Sequence, residues 1–288
     1  MTIRTRGMLP FRATVVLLTL AAAFLWIDRP YGAQTVDIDR GSRDYALPEQ
    51  MQWRDTANGK TANVYGDPAK PGLYAYVLRR APNTWSKPHY HDNDRFVTVL
   101  DGTFWVGTGK YDQQRAVPVK AGSVVRDVAG GIHFDGTKDD GAVLYFVGVG
   151  PSLSHPAEPS TTTATPDQVV DPAARQIHHV EDMPKESFYV HGEPTKPGLY
   201  VQYLKRAPNN WSRPHYHPID RAVMVIKGTM FIGTGTSGDK TKTVGVPKFG
   251  FIRDIAKGVH YDGSGDEPLW IQIAGIGPTA SIDVNPPK

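Results

Sequence analysis

The chain has 288 residues, no cysteine and a formal net charge of +3 at pH 7. This length allows about two domains, and a sequence without cysteine excludes a disulfide framework and any thiolate metal ligand. Because the net charge is small and no stripe of lysine and arginine alternates with aromatic residues, nucleic acid is not expected as a partner.

The N-terminal 33 residues are typical of a secretory signal peptide. Three arginines precede an uncharged, mostly apolar run at residues 13–27, and the small pair Gly32-Ala33 follows. The run is shorter than the ~20 residues that span a bilayer. We therefore expect residues 1–33 to be removed and the mature chain to be exported, periplasmic or secreted, with no stable membrane span. An uncleaved N-terminal membrane anchor is the alternative.

Short runs rich in Val, Ile, Tyr, Phe and Trp occupy the rest of the chain, separated by glycine and proline. In the first half they are Leu73–Leu78, Phe96–Leu100, Ser123–Val128 and Val143–Val149. In the second half they are Leu199–Leu204, Ala222–Ile226, Phe251–Ile255 and Trp270–Ile276. This pattern predicts an all-β chain, and many short strands in a unit of about 110 residues favour a sandwich or a barrel.

Two histidines two residues apart fall on a predicted strand of the first half. The imidazoles of His89 and His91 should point to the same side, because strand side chains alternate. His133 follows about forty residues later. One metal ion can bridge the pair, and a third ligand from a neighbouring strand would complete a facial triad. Without cysteine, such a site suits Fe, Mn, Zn, Cu or Ni.

The second half repeats the first at an offset of 126 or 127 residues. Trp211–His217 matches Trp85–His91, so His215 and His217 form the second pair, and His260 is the third histidine. A repeat of this length indicates a duplicated domain rather than a solenoid. We predict domains at residues 40–150 and 173–285, joined by a linker rich in Pro, Ser and Thr at residues 151–172.

The order of these residues resembles the cupin superfamily, over about residues 45–150 and 175–280. The first copy fills the family pattern with His89, His91, Gly102, Pro118, Gly122 and His133. The second copy fills it with His215, His217, Gly228, Pro247, Gly250 and His260. The resemblance implies two tandem double-stranded β-helix (jelly-roll) barrels, that is, a bicupin, with a metal inside each barrel held by the three histidines.

The chain departs from the family at one position. Most cupins place a glutamate ligand seven residues before the glycine, where this chain has Arg95 and Arg221. A guanidinium has no lone pair for a metal. In one interpretation each arginine faces the barrel lumen as a catalytic-site clamp for a substrate carboxylate. In the other, it pairs with a nearby carboxylate such as Asp94 or Asp220.

Several other side chains near the motif allow two interpretations. Asp135 and Asp262 follow the third histidine by two residues, so each is a fourth ligand, an acceptor that orients the imidazole, or a turn residue before glycine. Trp85 and Trp211 are expected to pack in the core or at the barrel mouth. The remaining histidines are expected at the surface: His155, His178, His179 and His191.

Three function classes fit this sequence. In the first, the chain is a mononuclear metal enzyme that resembles the cupin dioxygenases, with Fe(II) as the favoured metal and Arg95 or Arg221 holding a small carboxylate substrate. In the second, it is a non-catalytic module that binds or senses a small molecule. In the third, the metal only ties strands together. Identical ligand sets predict similar metal affinity in the two domains. The residues after the His-x-His pair differ, with Asp92-Asn93-Asp94 in the first domain and Pro218-Ile219-Asp220 in the second. This difference predicts different access of substrate to the two sites. An edge-strand homodimer is one further arrangement open to such a chain.

Overall fold

The computed structural model describes residues 36–158 and 170–284. The predicted signal peptide, residues 1–33, and residues 159–169 of the predicted linker lie outside the described residues. Within the described ranges, no helix is long and apolar enough to cross a membrane.

Twenty-two strands and two short 3-10 turns (Pro48–Gln50 and Val180–Asp182) make up the regular structure of these ranges. In chain order the first eleven strands are β1 (Arg43–Ala46), β2 (Arg54–Thr56), β3 (Gly59–Tyr65), β4 (Gly72–Arg80), β5 (His89–His91), β6 (Arg95–Thr108), β7 (Val117–Lys120), β8 (Val124–Asp127), β9 (His133–Gly136), β10 (Ala142–Gly150) and β11 (Ser154–Pro156). The next eleven are β12 (Arg175–His178), β13 (Phe188–His191), β14 (Gly198–Arg206), β15 (His215–Tyr216), β16 (Arg221–Lys227), β17 (Thr229–Thr234), β18 (Val244–Pro247), β19 (Phe251–Asp254), β20 (His260–Ser264), β21 (Leu269–Gly277) and β22 (Ile282–Asp283). Each of the eight predicted strand runs falls on one of these strands, and the all-β prediction is confirmed.

Each half of the chain forms a barrel from two curled sheets. In the first barrel, strands β12-β8-β6-β10-β4-β3-β2 form one sheet, and β7-β6-β9-β5-β11 form the other. In the second barrel, the corresponding sheets are β1-β19-β16-β21-β14-β13 and β18-β17-β20-β15-β22. The two-barrel jelly-roll prediction is therefore confirmed.

The motif glycine marks the point where the chain passes from one sheet to the other. The backbone of Gly102, in the middle of β6, has a φ of 71°, and Gly228, between β16 and β17, has a φ of 77°. A Cβ atom at Gly102 would lie 2.4 Å from the carbonyl oxygen of Gly141. Both the left-handed backbone and the close approach require glycine here.

Three apolar cores are found among the described residues. One fills the lumen of the first barrel around Val97, Val125 and Leu144, and an equivalent one fills the second barrel around Val223 and Ile271. The third lies between the barrels, because the outer faces of their larger sheets pack on each other. This third core is formed by buried residues from both halves, including Val77, Tyr145, Val201, Tyr203 and Met224.

The two halves exchange one strand each. Strand β1, which lies in the sequence before the first barrel, pairs with β19 of the second barrel, with Arg43 opposite Asp254. Strand β12, which lies before the second barrel, pairs with β8 of the first, with Arg175 opposite Asp127. Each barrel is therefore completed by the segment that precedes the other repeat. The offset of the sequence repeat does not reveal this exchange, because it does not say which strands pair.

Candidate metal centres

The first histidine triad is assembled by two neighbouring short strands. His89 begins β5 and lies opposite His133, the first residue of β9, while His91 ends β5. The ring centroids are 5.0 Å apart for His89 and His91, 4.5 Å for His89 and His133, and 5.3 Å for His91 and His133. One ring nitrogen from each histidine lies within 4.8 Å of the other two. The structure thus brings the three predicted ligands of the first domain together.

The second triad repeats this geometry. His215 in β15 lies opposite His260, the first residue of β20, and His217 follows β15 directly. The three centroid separations are 4.9, 4.5 and 5.3 Å. Here too one ring nitrogen from each residue lies within 4.8 Å of the others. The six histidines therefore form two separate groups of three, as predicted.

Backbone carbonyl groups fix the tautomer of all six imidazoles. In the first triad the Nδ1 atoms contact the carbonyl oxygens of Lys87 at 2.8 Å, Leu153 at 3.0 Å and Gly131 at 2.9 Å. In the second they contact those of Arg213 at 2.7 Å, Ala280 at 2.9 Å and Gly258 at 2.9 Å. A carbonyl oxygen only accepts, so Nδ1 carries the hydrogen and donates it. Each Nε2 is left with a free lone pair.

These Nε2 atoms fit a metal ion. Those of His91, His133, His217 and His260 are buried and have no hydrogen-bond partner among the residues that the structure describes. A buried nitrogen without a hydrogen-bond donor or a metal ion at its lone pair costs free energy. Histidines that bind a metal usually donate their other ring N–H to a carbonyl or carboxylate group, as these six do. We conclude that the two groups suit a divalent transition metal, since nitrogen ligands of this type favour such ions.

The same histidines are kept neutral, as metal ligands must be. Burial, with the guanidinium of Arg95 nearby, lowers the pKa of His91 to about 3. Burial, with Arg221 nearby, lowers the pKa of His217 to about 4. The pKa of His133 is also well below its usual value, chiefly because of burial. The free lone pairs therefore remain available near neutral pH.

Arg95 begins β6 and lies directly opposite Asp127 of β8. Its Nε and Nη2 atoms donate to Asp127 Oδ2 at 3.2 and 2.8 Å. Arg221 repeats the arrangement in the second barrel, with Nε 2.9 Å and Nη2 2.5 Å from Asp254 Oδ2. Each arginine therefore does pair with a carboxylate, as one interpretation of the sequence expected. The partners are Asp127 and Asp254, however, and not Asp94 and Asp220.

The expected partners bind other arginines outside the lumen. Asp94 accepts a hydrogen bond from Nε of Arg126 at 2.8 Å, and Asp220 accepts one from Nε of Arg253 at 2.9 Å. Alternation along β8 and β19 explains the difference. Neighbouring residues on a strand face opposite sides, so the arginine points away from the lumen and the aspartate after it points inward.

Asp127 and Asp254 lie beside the third histidine of each triad. Asp127 Oδ2 is 3.7 Å from Nε2 of His133, and Asp254 Oδ1 is 3.9 Å from Nε2 of His260. Burial alone would raise the pKa of Asp127. The positive charges around it, including those of Arg175 and Arg95, lower the pKa by more than burial raises it, so the pKa lies well below the usual range. Each triad thus has an ionised carboxylate as a neighbour.

Asp135 and Asp262 are neither turn residues nor members of the ligand groups. Asp135 lies inside β9 with its side chain buried, and it accepts hydrogen bonds from Arg80 Nη1 at 2.8 Å and Arg175 Nη2 at 2.9 Å. Asp262 in β20 accepts one from Arg43 Nη1 at 2.8 Å. The turn interpretation of the Asp-Gly pairs is wrong, because the glycine that follows each aspartate is part of the strand and faces a tryptophan.

Trp85 and Trp211 pack where the sequence predicted. Each makes an isolated bridge to the glycine after the buried aspartate, Gly136 or Gly263. A Cβ atom at Gly136 would lie 2.2 Å from the indole ring of Trp85. The indole therefore covers the end of the strand that carries the third histidine.

The other histidines lie outside the triads. His155, expected in a solvated loop, lies in β11, stacks on Tyr90 at 5.0 Å and contacts Asp92 at 2.8 Å. Strand β11 belongs to the predicted linker, yet it pairs with β5 and supplies the carbonyl group of Leu153 to His91. The remaining three are partly exposed: His178, His179 and His191.

The cavities beside the two triads differ in size and lining. The first has a volume of about 450 Å³ and is lined by His89, His91, Arg95, Tyr76 and Phe146, among others. The rings of Tyr76 and Phe146 stack with centroids 4.5 Å apart. The second cavity has a volume of about 220 Å³, and residues Gln202 and Ile273 occupy the corresponding positions.

Sequence reasoning missed the two arginines that arrive on exchanged strands. Arg43 and Arg175 are fully buried and contact the aspartates beside the triads. Nothing near them in sequence carries the histidine motif, so no local pattern could have placed them there. A sequence clue exists only in retrospect: each is a basic residue at the start of a strand just before a repeat.

Comparisons with known proteins identify the fold. No protein-family model and no curated protein matches the sequence. Solved structures do match. The oxalate decarboxylase of Lactobacillus farciminis, in a formate complex, aligns with a TM-score of 0.59 and 15% identity over 83% of this chain and 88% of its own.

Two further structures agree. Salicylate 1,2-dioxygenase from Pseudoaminobacter salicylatoxidans, as an adduct with gentisate, aligns with a TM-score of 0.59 and 9% identity over 88% of each chain. The oxalate decarboxylase of Bacillus subtilis aligns with a TM-score of 0.55 and 13% identity over 88% of this chain and 81% of its own. At these identities the likeness concerns the fold. The chain therefore has the cupin fold twice, as two jelly-roll barrels in one polypeptide, and is a bicupin in fold.

Proposed function

We propose that the chain is a metal-dependent oxidoreductase of the dioxygenase type, acting on a small molecule that carries a carboxylate. The observation that carries this proposal is the composition of each centre. Three imidazoles point their Nε2 atoms at one another beside a partly buried arginine, and no carboxylate joins them in the ligand groups found among the described residues.

Fe(II) is the metal we propose. A metal on three imidazoles keeps coordination positions free, and Fe(II) bound there would supply a place for substrate and O₂ to meet. The gentisate and formate named for the two neighbouring enzymes are small carboxylates, and we extend that ligand class to this chain.

The charges around each triad favour an anionic ligand. In the first barrel, the three guanidinium groups of Arg80, Arg95 and Arg175 face two carboxylates, Asp127 and Asp135. In the second barrel, three arginines likewise face two aspartates: Arg43, Arg206 and Arg221 with Asp254 and Asp262. Each buried network has a surplus of one positive charge before any metal binds. An anion in the cavity offsets that surplus, which is costly to bury alone.

Arg95 is the residue that we expect to hold the substrate carboxylate. Asp127 occupies its Nε and Nη2 atoms, while Nη1 points towards the Tyr76 hydroxyl group at 3.4 Å. That edge borders the larger cavity, where the stacked rings of Tyr76 and Phe146 form an apolar wall. The wall would keep water away from the substrate and accommodate a flat organic group.

We assign turnover to the first centre. The second cavity has about half the volume, 220 against 450 Å³, and lacks the aromatic wall. The two ligand sets are alike, so we expect both centres to bind metal but only the first to have room for an organic substrate. This keeps the expectation of similar metal affinity with different access.

Export is a further part of the proposal. A basic start, a short apolar run and small residues before position 34 support secretion of the two barrels. N-terminal sequencing of the protein from culture medium or periplasm would test it, and a mature chain that still begins at Met1 in the cytoplasm would contradict it.

The central experiment measures metal content and O₂ consumption on the same preparations. Protein freed of metal with a chelator is reloaded with Fe(II) without oxygen, and bound iron is counted. We expect two ions per chain, one after His91→Ala and one after His217→Ala. Oxygen uptake with a panel of hydroxy- and mercapto-carboxylates should be lost in His91→Ala and retained in His217→Ala.

His191→Ala is the matched control, because it removes a histidine outside both triads. It should keep two ions per chain and full oxygen uptake. Bound metal without turnover of any carboxylate would favour a binding or sensing protein instead. No metal bound by the wild-type chain at neutral pH would overturn the proposal altogether.

A further inference from the structure

The exchanged strands deliver one buried arginine to each metal centre. Arg175 is the first residue of β12, and Arg43 is the first residue of β1. Both are 0% exposed. Each belongs to the segment that precedes one repeat but lies inside the barrel built by the other repeat.

Arg175 links β8 to β9, the strand that begins with the third histidine of the first centre. Its Nε donates to Asp127 Oδ1 at 2.6 Å, on β8. Its Nη2 donates to Asp135 Oδ2 at 2.9 Å, and its Nη1 donates to the carbonyl oxygen of Phe134 at 3.1 Å, both on β9. Since β9 begins at His133, one guanidinium fixes the strand that carries this ligand.

Arg43 occupies the equivalent place in the second barrel. Its Nη1 donates to Asp262 Oδ2 at 2.8 Å, on β20, and its Nη2 lies 2.6 Å from Asp254 Oδ1, on β19. Strand β20 begins at His260. Two arginines at equivalent positions, each at the start of the strand that precedes a repeat, thus make similar bridges in opposite barrels.

We propose that Arg175 and Arg43 are positioning residues for the metal centres, so that each centre depends on a segment outside its own repeat. The inference rests on the metal binding proposed above but on no particular reaction. Arg175 acts through Asp127, whose other oxygen holds Arg95 and lies 3.7 Å from His133 Nε2. It therefore orients the histidine ligand and the predicted substrate-binding arginine together.

A guanidinium suits this task because it is a rigid fork. Its planar donors reach two carboxylates and a carbonyl group at fixed angles, which a lysine ammonium cannot match. Apolar side chains of similar size would hold the strand at less cost in desolvation, so strand attachment alone does not account for two buried arginines. Outer groups that orient metal ligands typically matter about 10–100-fold for metal affinity.

The test measures one centre at a time. In a His217→Ala background only the first centre can bind, and Co(II) serves as the probe because its visible spectrum reports ligand geometry. We expect Arg175→Gln to raise the Co(II) dissociation constant of this centre by about tenfold or more and to alter the spectrum. In a His91→Ala background, the same substitution should leave the second centre unchanged.

Arg126→Gln is the matched control. Arg126 is the neighbour of Asp127 on β8, but its guanidinium pairs with Asp94 on the other side. This variant should keep the parental dissociation constant and spectrum. Arg43→Gln should show the reciprocal result, with loss at the second centre and none at the first.

Two results would overturn the inference. One is an Arg175→Gln chain whose first centre binds Co(II) with the parental affinity and spectrum. The other is an equal loss at both centres, which would mean general destabilisation. If Arg175→Gln does not fold, Arg175→Lys, which keeps the charge but loses the fork, is judged by the same two criteria. Failure of the parental chains to bind Co(II) would instead contradict the proposed metal binding.

Discussion

Arg95 and Asp127 face each other across β6 and β8, and their side chains form an ion pair with Nη2 2.8 Å from Oδ2. Arg221 and Asp254 form the same pair in the second barrel. The family pattern expects a carboxylate ligand at the position of Arg95. Here that position carries a cation, and a carboxylate stands opposite it on the neighbouring strand, beside His133. The centre therefore keeps an acidic neighbour while presenting a guanidinium edge to the cavity.

Replacing Arg95 should weaken anion binding without removing the metal. Arg95→Gln should lower the affinity of the metal-loaded first centre for a simple carboxylate such as benzoate by about 10–100-fold, the worth of a hydrogen bond to a charged group. Isothermal titration in a His217→Ala background measures this, with bound metal counted in parallel. Arg126→Gln should leave the affinity unchanged. An unchanged affinity in Arg95→Gln would assign this arginine to structure alone.

Removing the shared carboxylate should destabilise the first barrel strongly. Asp127→Asn leaves Arg95 and Arg175 buried without the charge that both contact, and such a loss costs about 3–5 kcal/mol. Chemical denaturation of the metal-free chain measures the free energy of unfolding. Asp94→Asn, which breaks a partly exposed pair with Arg126, should cost about 1 kcal/mol or less. Equal effects of the two substitutions would contradict the account of the buried network.

The sequence predicted the strands, the duplication and the two groups of three histidines because these leave local traces. Strand composition, a fixed offset and a His-x-His spacing are readable along the chain. The partner of Arg95 was not predicted correctly, because the nearest acidic residue in sequence, Asp94, points to the other face of the sheet. Arg43 and Arg175 were missed because strand exchange is decided by packing between barrels. Pairing across long separations in sequence depends on the assembled fold and leaves no periodic pattern.

Adding a methyl group beneath Trp85 should disturb the first centre from outside the ligand set. In Gly136→Ala the new Cβ would lie 2.2 Å from the indole ring and 2.7 Å from the carbonyl oxygen of Thr84. Overpacking of this kind costs about 1–3 kcal/mol. Because Gly136 ends the strand that His133 begins, we expect a lower unfolding midpoint and an altered Co(II) spectrum at the first centre only. Gly72→Ala, where no atom lies within 4 Å of the added Cβ, is the control for space, although its positive φ of 112° adds some backbone strain. It should leave the Co(II) spectrum unchanged, and a normal spectrum in Gly136→Ala would contradict the link between Trp85 and the centre.

The interface between the barrels contains a buried polar group whose loss should be measurable. The hydroxyl group of Thr98 accepts a hydrogen bond from the Tyr203 hydroxyl group at 2.9 Å and donates one to the side-chain oxygen of Gln272. Thr98→Val keeps the shape but leaves both partners buried without it, at a cost of about 1–3 kcal/mol. We expect a lower free energy of unfolding with two metal ions still bound per chain, since Thr98 faces the other barrel rather than the lumen. Thr103→Val, on the same strand but partly exposed, should change stability by about 0.5 kcal/mol or less. A Thr98→Val chain as stable as the wild type would mean that these hydrogen bonds contribute nothing to holding the barrels together.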